Sequence, residues 1–426
     1  MEHLDRSTPA TRQRALALTA AWRGALSRHA LALRAGAVTG VLLAGSLPAL
    51  AGPNGIKIGV LTDMSGVYAA ISGPGAVVAA QMAIDDFGGK VLGKPITLVS
   101  ADHQNKPDIG VAKAREWIDT EGVDMIGDLV NSGVAIAVQK LGAEKHRITI
   151  VNGAGSTALT NKECSAYGIH YAYDTYSIAK GTATALLKQG LDTWFFLQAD
   201  YAFGQALQSD ASRIVTSLGG KVLGTVKHPL ASTDFASYLL QAQSSGAKVV
   251  AMANAGGDFT NAVKQAREFG LKQTIAGLLV FDTDIRALGL AAAQGMKFTT
   301  AYTWELNPET EAFGKRFLAR HKAMPTMAQA GVYSSTLFYL NAVKAANTDN
   351  PEIVMKKMHE LQVNDFFARN GHVRPDGLLI HDMYLVEVKT PAESKSTWDQ
   401  LKLVATIPGD QAFQPLSESS CPLLGH

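Results

Sequence analysis

The chain has 426 residues, 47% hydrophobic and 18% charged, with 39 Lys+Arg against 37 Asp+Glu and a formal net charge of +2. So even a balance gives no electrostatic basis for binding nucleic acid or an anionic membrane surface. Only two cysteines are present, and no His/Cys spacing has the form of a metal site.

The N-terminal stretch is set apart from the rest. Arg6, Arg12, Arg14, Arg23, Arg28 and Arg34 precede a short apolar segment broken by glycines and Pro48, which ends in the small-x-small triplet Ala49-Leu50-Ala51. That pattern is a secretory signal peptide over residues 1–51, cleaved after Ala51, and it is too broken for a stable membrane span. The leader holds six Lys+Arg and two Asp+Glu, so the mature chain carries 33 against 35 and is slightly acidic. Its length favours two lobes over one core. In an oxidising compartment Cys164 and Cys421 are either bonded, tying the C-terminal tail to the body, or two separate thiols.

After the leader, apolar strands and glycine-ended helices alternate. Strands are predicted at 56–63, 95–102, 123–129 and 148–153, with helices over 74–88 and 108–121. The acidic pair Asp85-Asp86 reads as a solvated helix face. The rhythm resumes with strands at 193–199, 221–226, 248–255 and 274–280. Near-continuous apolar strands in this order imply parallel sheets covered on both faces, in two doubly wound α/β blocks. Beyond 297–304 the pattern turns helical, at about 309–322, 328–347 and 351–361, before two final strands in DMYLVEV and KLVATIP.

In such folds ligands sit beyond the carboxyl ends of the strands. Three small-residue loops fall there: NSG at 131–133, GAGST at 153–157 and NAGGD at 254–258. Their amides, with the Asn131, Ser132, Ser156 and Thr157 side chains and nearby helix N-termini, suit a carboxylate; Asp258 reads equally well as a plain helix cap. No nucleophile elbow surrounds Ser156 and nothing marks His103, His146 or His170 as its base. GPGAVV at 73–78 and GAGST match no phosphate loop or dinucleotide fingerprint. Tyr68, Tyr173, Tyr176, Phe203, Phe281, Tyr302 and Trp304 lie in or beside loops and would line an apolar cleft. The reading is a binding site, not a reaction site.

IKIGVLTDMSG, VNGAGSTALTNKEC, DYAFGQAL, STDFASYLLQAQSSGAKVV, AVKQAREFGL and VRPDG, in that order, resemble the periplasmic substrate-binding proteins of ABC transporters, of the branched-chain amino acid (Leu/Ile/Val) type. The resemblance implies two Rossmann-like lobes joined by three hinge strands near 174–176, 301–303 and 380–382. Lobe 1 would comprise 55–174 and 303–380, and lobe 2 would comprise 175–302 and 381–426. It also implies a periplasmic monomer without cofactor that traps a small carboxylate by hinge closure and delivers it to an inner-membrane permease. A sensor docking on a signalling partner, or an enzyme on the same fold, are the alternatives.

Residue by residue, the family's carboxylate clamp falls on Asn131, Ser132, Ala154, Gly155 and Ser156. Tyr68, Tyr176, Ala255, Gly256, Phe281 and Trp304 complete the expected walls. The family's closing tyrosine falls on Phe203, which loses a hydroxyl, and a second tyrosine position falls on Ala255-Gly256. The acid that meets a ligand ammonium falls near Leu279, leaving Asp282 as the nearest substitute. Either the pocket takes an aromatic or keto acid, or Asp282 and loop carbonyls serve an aliphatic amino acid.

Overall fold

A computed structural model describes residues 55–425; the signal peptide expected at 1–51 lies outside the described residues. Two α/β lobes follow. The first is built on a six-stranded sheet with spatial order Lys90–Val91, Lys94–Asp102, Ile56–Thr62, Met125–Asp128, Ile148–Val151 and Gly168–His170. Its pairings are parallel, except for the hairpin between the first two strands. The second lobe holds a parallel four-stranded sheet, ordered Thr274–Gly277, Val249–Ala253, Thr193–Ala199 and Lys221–His228. An antiparallel sheet of Lys297–Thr300, Met383–Val388 and Leu401–Ile407 lies C-terminal to it in the chain.

Burial explains why the strands read as unbroken apolar runs. Met125–Asp128, Ile148–Val151 and Val249–Ala253 are buried at every position. On one face of the first sheet, Trp117, Val134, Val138 and Leu141 pack from helices against Leu61, Ile126 and Val151. A larger cluster runs from helices Gly73–Phe87 and Met327–Ala346 through Ile58 and Ile150 into Trp194, Phe196 and Ala251 of the second sheet. The core is therefore continuous between the sheets.

Several expectations are corrected in detail. The helix expected over 108–121 is an α-helix only over Pro107–Glu116; Trp117–Glu121 makes a π turn, closed by left-handed Gly122. The strand expected to run to 280 stops at Gly277, and 301–304 leaves the ladder after Thr300. Asp85 and Asp86 are not simply solvated. They pair with Arg320 at 2.7 Å and Arg316 at 2.6 Å on the helix Pro308–His321, and Asp86 also accepts from the Tyr333 hydroxyl. A local pattern cannot show a partner about 230 residues away.

Around the expected crossings the backbone reaches strands, loops and side chains of neighbouring elements. Tyr171 N–H reaches Val151, Thr175 N–H reaches Gly155, and His381 Nε2 lies 3.1 Å from the Ala172 carbonyl. Asp174, near the first expected crossing, is the N-cap of the helix Thr175–Leu187.

Cys164 and Cys421 are bonded, with Cα atoms 5.6 Å apart and a sequence separation of 257. The tail before Cys421 adds hydrogen bonds from Asn161 to Gln414, from Ser419 to the Thr160 carbonyl, and from Ser420 N–H to Asn161. A chain segment expected with the second lobe is thus fastened to the 157–164 loop of the first. Replacing both cysteines with serine should cost about 2–5 kcal/mol of stability. Urea unfolding of this variant against the oxidised protein measures the loss, and an unchanged midpoint would deny the bond a stabilising role.

Candidate functional site

The carboxyl ends of the two main sheets face a common cleft. Its first wall grows from the strand Ile56–Thr62, whose loop leads into the helix Gly73–Phe87. That loop is pinned at its far end by the helix Met327–Ala346. Thr326 Oγ1 donates to the Ile71 carbonyl at 2.6 Å, and Gln329 Nε2 donates to the Ser72 carbonyl at 3.0 Å. Val130 and Gly153, from the next two strand ends, complete this side.

The second wall comes from the loops after Ala199, Ala253 and Gly277. Together the walls leave a cavity of only about 10 Å³, lined by Tyr68, Ile71, Val130, Gly153, Tyr173, Tyr201, Phe203, Ala255 and Leu279. That is room for about one water, far below the roughly 300–1,000 Å³ of a drug-sized site, so the two walls are nearly in contact and a solute needs them to part.

The lobes touch across this space. The Tyr68 and Tyr201 hydroxyls lie 2.5 Å apart, and the Gly257 N–H, at the start of the helix Gly256–Glu268, donates to the Val67 carbonyl at 3.2 Å. A solute entering here must part the two tyrosines or be gripped by them. Gly256 makes the approach possible: it sits at φ 58°, and a Cβ there would fall 2.4 Å from the Val67 carbonyl oxygen and 3.2 Å from the Tyr68 ring. Asp210, deeper along the interface, accepts from Thr157 at 2.9 Å and from Thr175 at 2.6 Å. Gly256→Ala should hold the lobes apart and weaken solute binding by at least about tenfold. Titration calorimetry checks this, and wild-type affinity would mean that Val67 and Gly256 need not meet.

Of the residues expected at the site or along its cleft, Tyr68, Tyr173, Phe203 and Ala255 line the cavity, and Tyr302 instead donates its hydroxyl to the Thr310 carbonyl. Gly155 lies under two of its walls, since a Cβ there would come within 2.9 Å of the Tyr173 ring and 3.2 Å of Phe203. Phe281 stands behind Tyr173, ring to edge, with centroids 6.2 Å apart.

The expected clamp is assembled next to the cavity rather than in its lining. Ser132 Oγ accepts the Ser156 N–H at 3.3 Å, and Ser156 Oγ accepts the Ala158 N–H at 3.3 Å. The Ala154 carbonyl accepts from His170 Nε2 at 2.7 Å. Burial holds His170 neutral, its pKa lowered to about 4, so the proton it donates is on Nε2. Asn131 caps the helix Ser132–Lys145, its Oδ1 accepting from Gly133 and Val134, while its buried Nδ2 has no partner.

Three expected residues lie elsewhere. Tyr176 packs under the Arg213 guanidinium, 5.4 Å from the ring centre. Trp304 donates to the Trp398 carbonyl at 3.0 Å. Asp282 does not line the cavity; it opens the short helix Asp282–Leu288, its backbone carbonyl accepts from Gln400, and burial raises its carboxyl to about 7. Its buried side-chain Oδ1 has no hydrogen-bond partner.

Tyr201 was the missed residue. The hydroxyl taken as lost at Phe203 is supplied two residues earlier, from the residue preceding the helix Ala202–Ser217. The signal lay in the same quoted motif, DYAFG. Asp258 was read as a possible cap. Its Oδ2 accepts the Ala231 N–H at 3.1 Å, its Oδ1 has no partner, and burial raises its carboxyl to about 7. Its charge in turn pushes both the Tyr68 and Tyr201 phenols upward, behind the larger effect of burial.

Beneath Val130 the backbone is strained: Asp128 and Leu129 are both left-handed, at φ 75° and 56°. Asp128 is fully buried, accepts the Ser72 hydroxyl at 2.5 Å, and through its carbonyl accepts the Asn152 and Gly153 amides. Burial raises its carboxyl from 3.8 to about 6. A group that binds its proton more tightly in the folded state gives its stability fully at low pH and loses it as pH rises through the folded value. Asn tolerates the left-handed backbone. The stability difference between wild type and Asp128→Asn should therefore shift against wild type as pH rises from about 4 through about 6. Thermal melts across that range test the sign, and a flat difference would contradict it.

The comparisons agree with this geometry. Residues 55–395 match the family model described as periplasmic binding protein. A periplasmic binding protein from Burkholderia mallei is 50% identical, with a TM-score of 0.86 over 87% of this chain and 100% of that one. A branched chain amino acid ABC transporter periplasmic ligand-binding protein from Burkholderia xenovorans is 43% identical, with a TM-score of 0.78 over 86% and 99%. Leu/Ile/Val-binding protein homolog 6 of Brucella melitensis is 25% identical over 241 residues, which is 55% of this chain and 61% of that protein. The chain thus spans about three fifths of the length of such curated relatives.

Two α/β lobes meeting at a small central cavity, together with these matches, mark a transport-binding protein rather than an enzyme. The chain belongs to the periplasmic binding protein family, with the type I fold and a periplasmic location.

Proposed function

We propose that this protein is the solute receptor of an ABC importer, capturing a small carboxylate that lacks an ammonium group, an aromatic or keto acid, and delivering it as a monomer to an inner-membrane permease. The lobes would be 55–174 with 303–380 and 175–302 with 381–426. The reading rests on Leu279. It stands in the cavity wall where an amino acid receptor of this type would place an acid, and no carboxylate lines the cavity. A buried ammonium with no such partner would cost several kcal/mol.

On the opposite side the Asn131 Nδ2 is a buried donor without a partner, one residue from the cavity-lining Val130 and at the positive end of the helix Ser132–Lys145. Ile71, Val130, Ala255, Leu279 and Phe203 supply the apolar surface a ring or alkyl group needs, and the tyrosine hydroxyls close the lid.

A second reading keeps an aliphatic amino acid. It is favoured by the Burkholderia xenovorans relative, whose description names branched-chain amino acids, and it would need Asp258 to receive the ammonium.

Calorimetry with benzoate, 4-methyl-2-oxopentanoate and leucine separates the two. At least one of the first two should bind at least about a hundredfold more tightly than leucine. Leucine binding as tight as the acids, lost in Asp258→Asn, would overturn the first reading in favour of the second.

A further inference from the structure

The loop that carries Tyr68 is gathered around one side chain. Asp63 follows the strand Ile56–Thr62 and is fully buried. Its Oδ1 accepts the Gly66 N–H at 2.7 Å and the Ser65 N–H at 3.4 Å; its Oδ2 accepts the Tyr68 N–H at 2.9 Å and Asn105 Nδ2 at 2.7 Å. An ionised carboxylate is a pure acceptor with about four lone-pair sites, and four donors converge on this one. The wrap is tight: a Cβ on Gly66 would sit 2.7 Å from Oδ2 and 2.8 Å from Oδ1. Asn105 reaches in from a turn whose Gln104 and Asn105 are both left-handed, at φ 52° and 57°. Backbone strain at two consecutive non-glycine residues is held there by contacts of this kind.

The same short loop presents two groups to the other lobe. Val67 offers its carbonyl to Gly257 N–H, and Tyr68 offers its hydroxyl to Tyr201. The residues on either side of Val67, Gly66 and Tyr68, both donate their amides to Asp63, one to each carboxylate oxygen.

We propose that Asp63 is a positioning residue for lobe closure: by collecting the amides on either side of Val67, it holds the Val67 carbonyl and the Tyr68 phenol in the one arrangement that meets Gly257 and Tyr201. This rests on the hinge-closure reading above. Asparagine cannot replace it, because whichever oxygen becomes an amino group sets a donor against a backbone N–H, that of Tyr68 on one side or that of Gly66 on the other. Ser65 Oγ, bonded to Asp102 at 2.9 Å, steadies the loop from outside but bears on neither presented group.

Hydrogen exchange on the protein without added solute tests this independently of ligand class. Its reporter is the Gly257 amide, which belongs to the other lobe. Asp63→Asn should speed exchange at residues 65–68 and also at Gly257, by about tenfold, as expected for losing bonds to a charged acceptor. The double variant Asp63→Asn/Asn105→Asp restores only the side-chain pair and leaves an amino group against the Tyr68 or Gly66 N–H, so Gly257 should remain accelerated by about tenfold; a return to the wild-type rate would overturn the proposal by making the Asn105 contact, not the two amides, the determinant.

Protection of the strand Val249–Ala253 reports whether the fold is intact; should Asp63→Asn lose it, the milder Asn105→Ala carries the same test with a smaller acceleration. Faster exchange at 65–68 with a wild-type rate at Gly257 would overturn the proposal, reducing Asp63 to a local loop brace. Failure of every acid to bind would instead strike at the solute reading and leave the Gly257 result standing.

Discussion

The contact on which the site depends is the meeting of one carbonyl with one helix end. The Val67 carbonyl approaches the first turn of Gly256–Glu268, and Gly257 N–H completes the bond. A helix N-terminus carries unpaired amides and a partial positive charge, so a carbonyl is a natural counterpart. The same approach brings Tyr68 to Tyr201 and defines the size of the cavity. It requires a residue without a side chain at Gly256 and a loop of fixed shape at 63–68. Both conditions are local, yet they act between lobes.

Buried acids surround this contact. Asp128 lies under the first wall and Asp258 under the second, both raised by burial, and Asp210 joins Thr157 to Thr175 between the lobes. None of them has the partners of an active site. Asp128 shapes a strained turn and Asp258 holds the Ala231 amide, while each keeps one oxygen without a hydrogen-bond partner. Such groups are costly to bury. Their place beside a small cavity puts buried polar groups behind its aromatic and apolar walls.

The tail contributes differently. The last strand, Leu401–Ile407, leads into a segment that returns to the 157–164 loop and is bonded there through Cys164–Cys421. That loop contains Thr157, which also meets Asp210 from the second lobe. The tail therefore braces the side of the interface that holds the expected clamp residues Ser132 and Ser156, away from the contact at Val67.

The sequence by itself determined the alternation of apolar strands with glycine-ended helices, hence the parallel sheets, the two-lobed class and the loops at strand ends, because these follow from local periodicity and from where backbone can turn. It also placed Tyr68, Phe203 and Ala255 at the cavity and marked Leu279 as the apolar replacement of an acid. Only packing brings the Tyr201 hydroxyl against Tyr68, the Asp282 carbonyl against Gln400, Tyr176 against Arg213 and Trp304 against the Trp398 carbonyl. Tyr201 precedes the helix in extended backbone and its ring lies 6.1 Å from that of Phe203, so a motif gives the neighbourhood and only the packed chain shows which of the two side chains meets Tyr68. Asp63 lay unread for a related reason: its four donors are brought together by a turn that no linear spacing reveals.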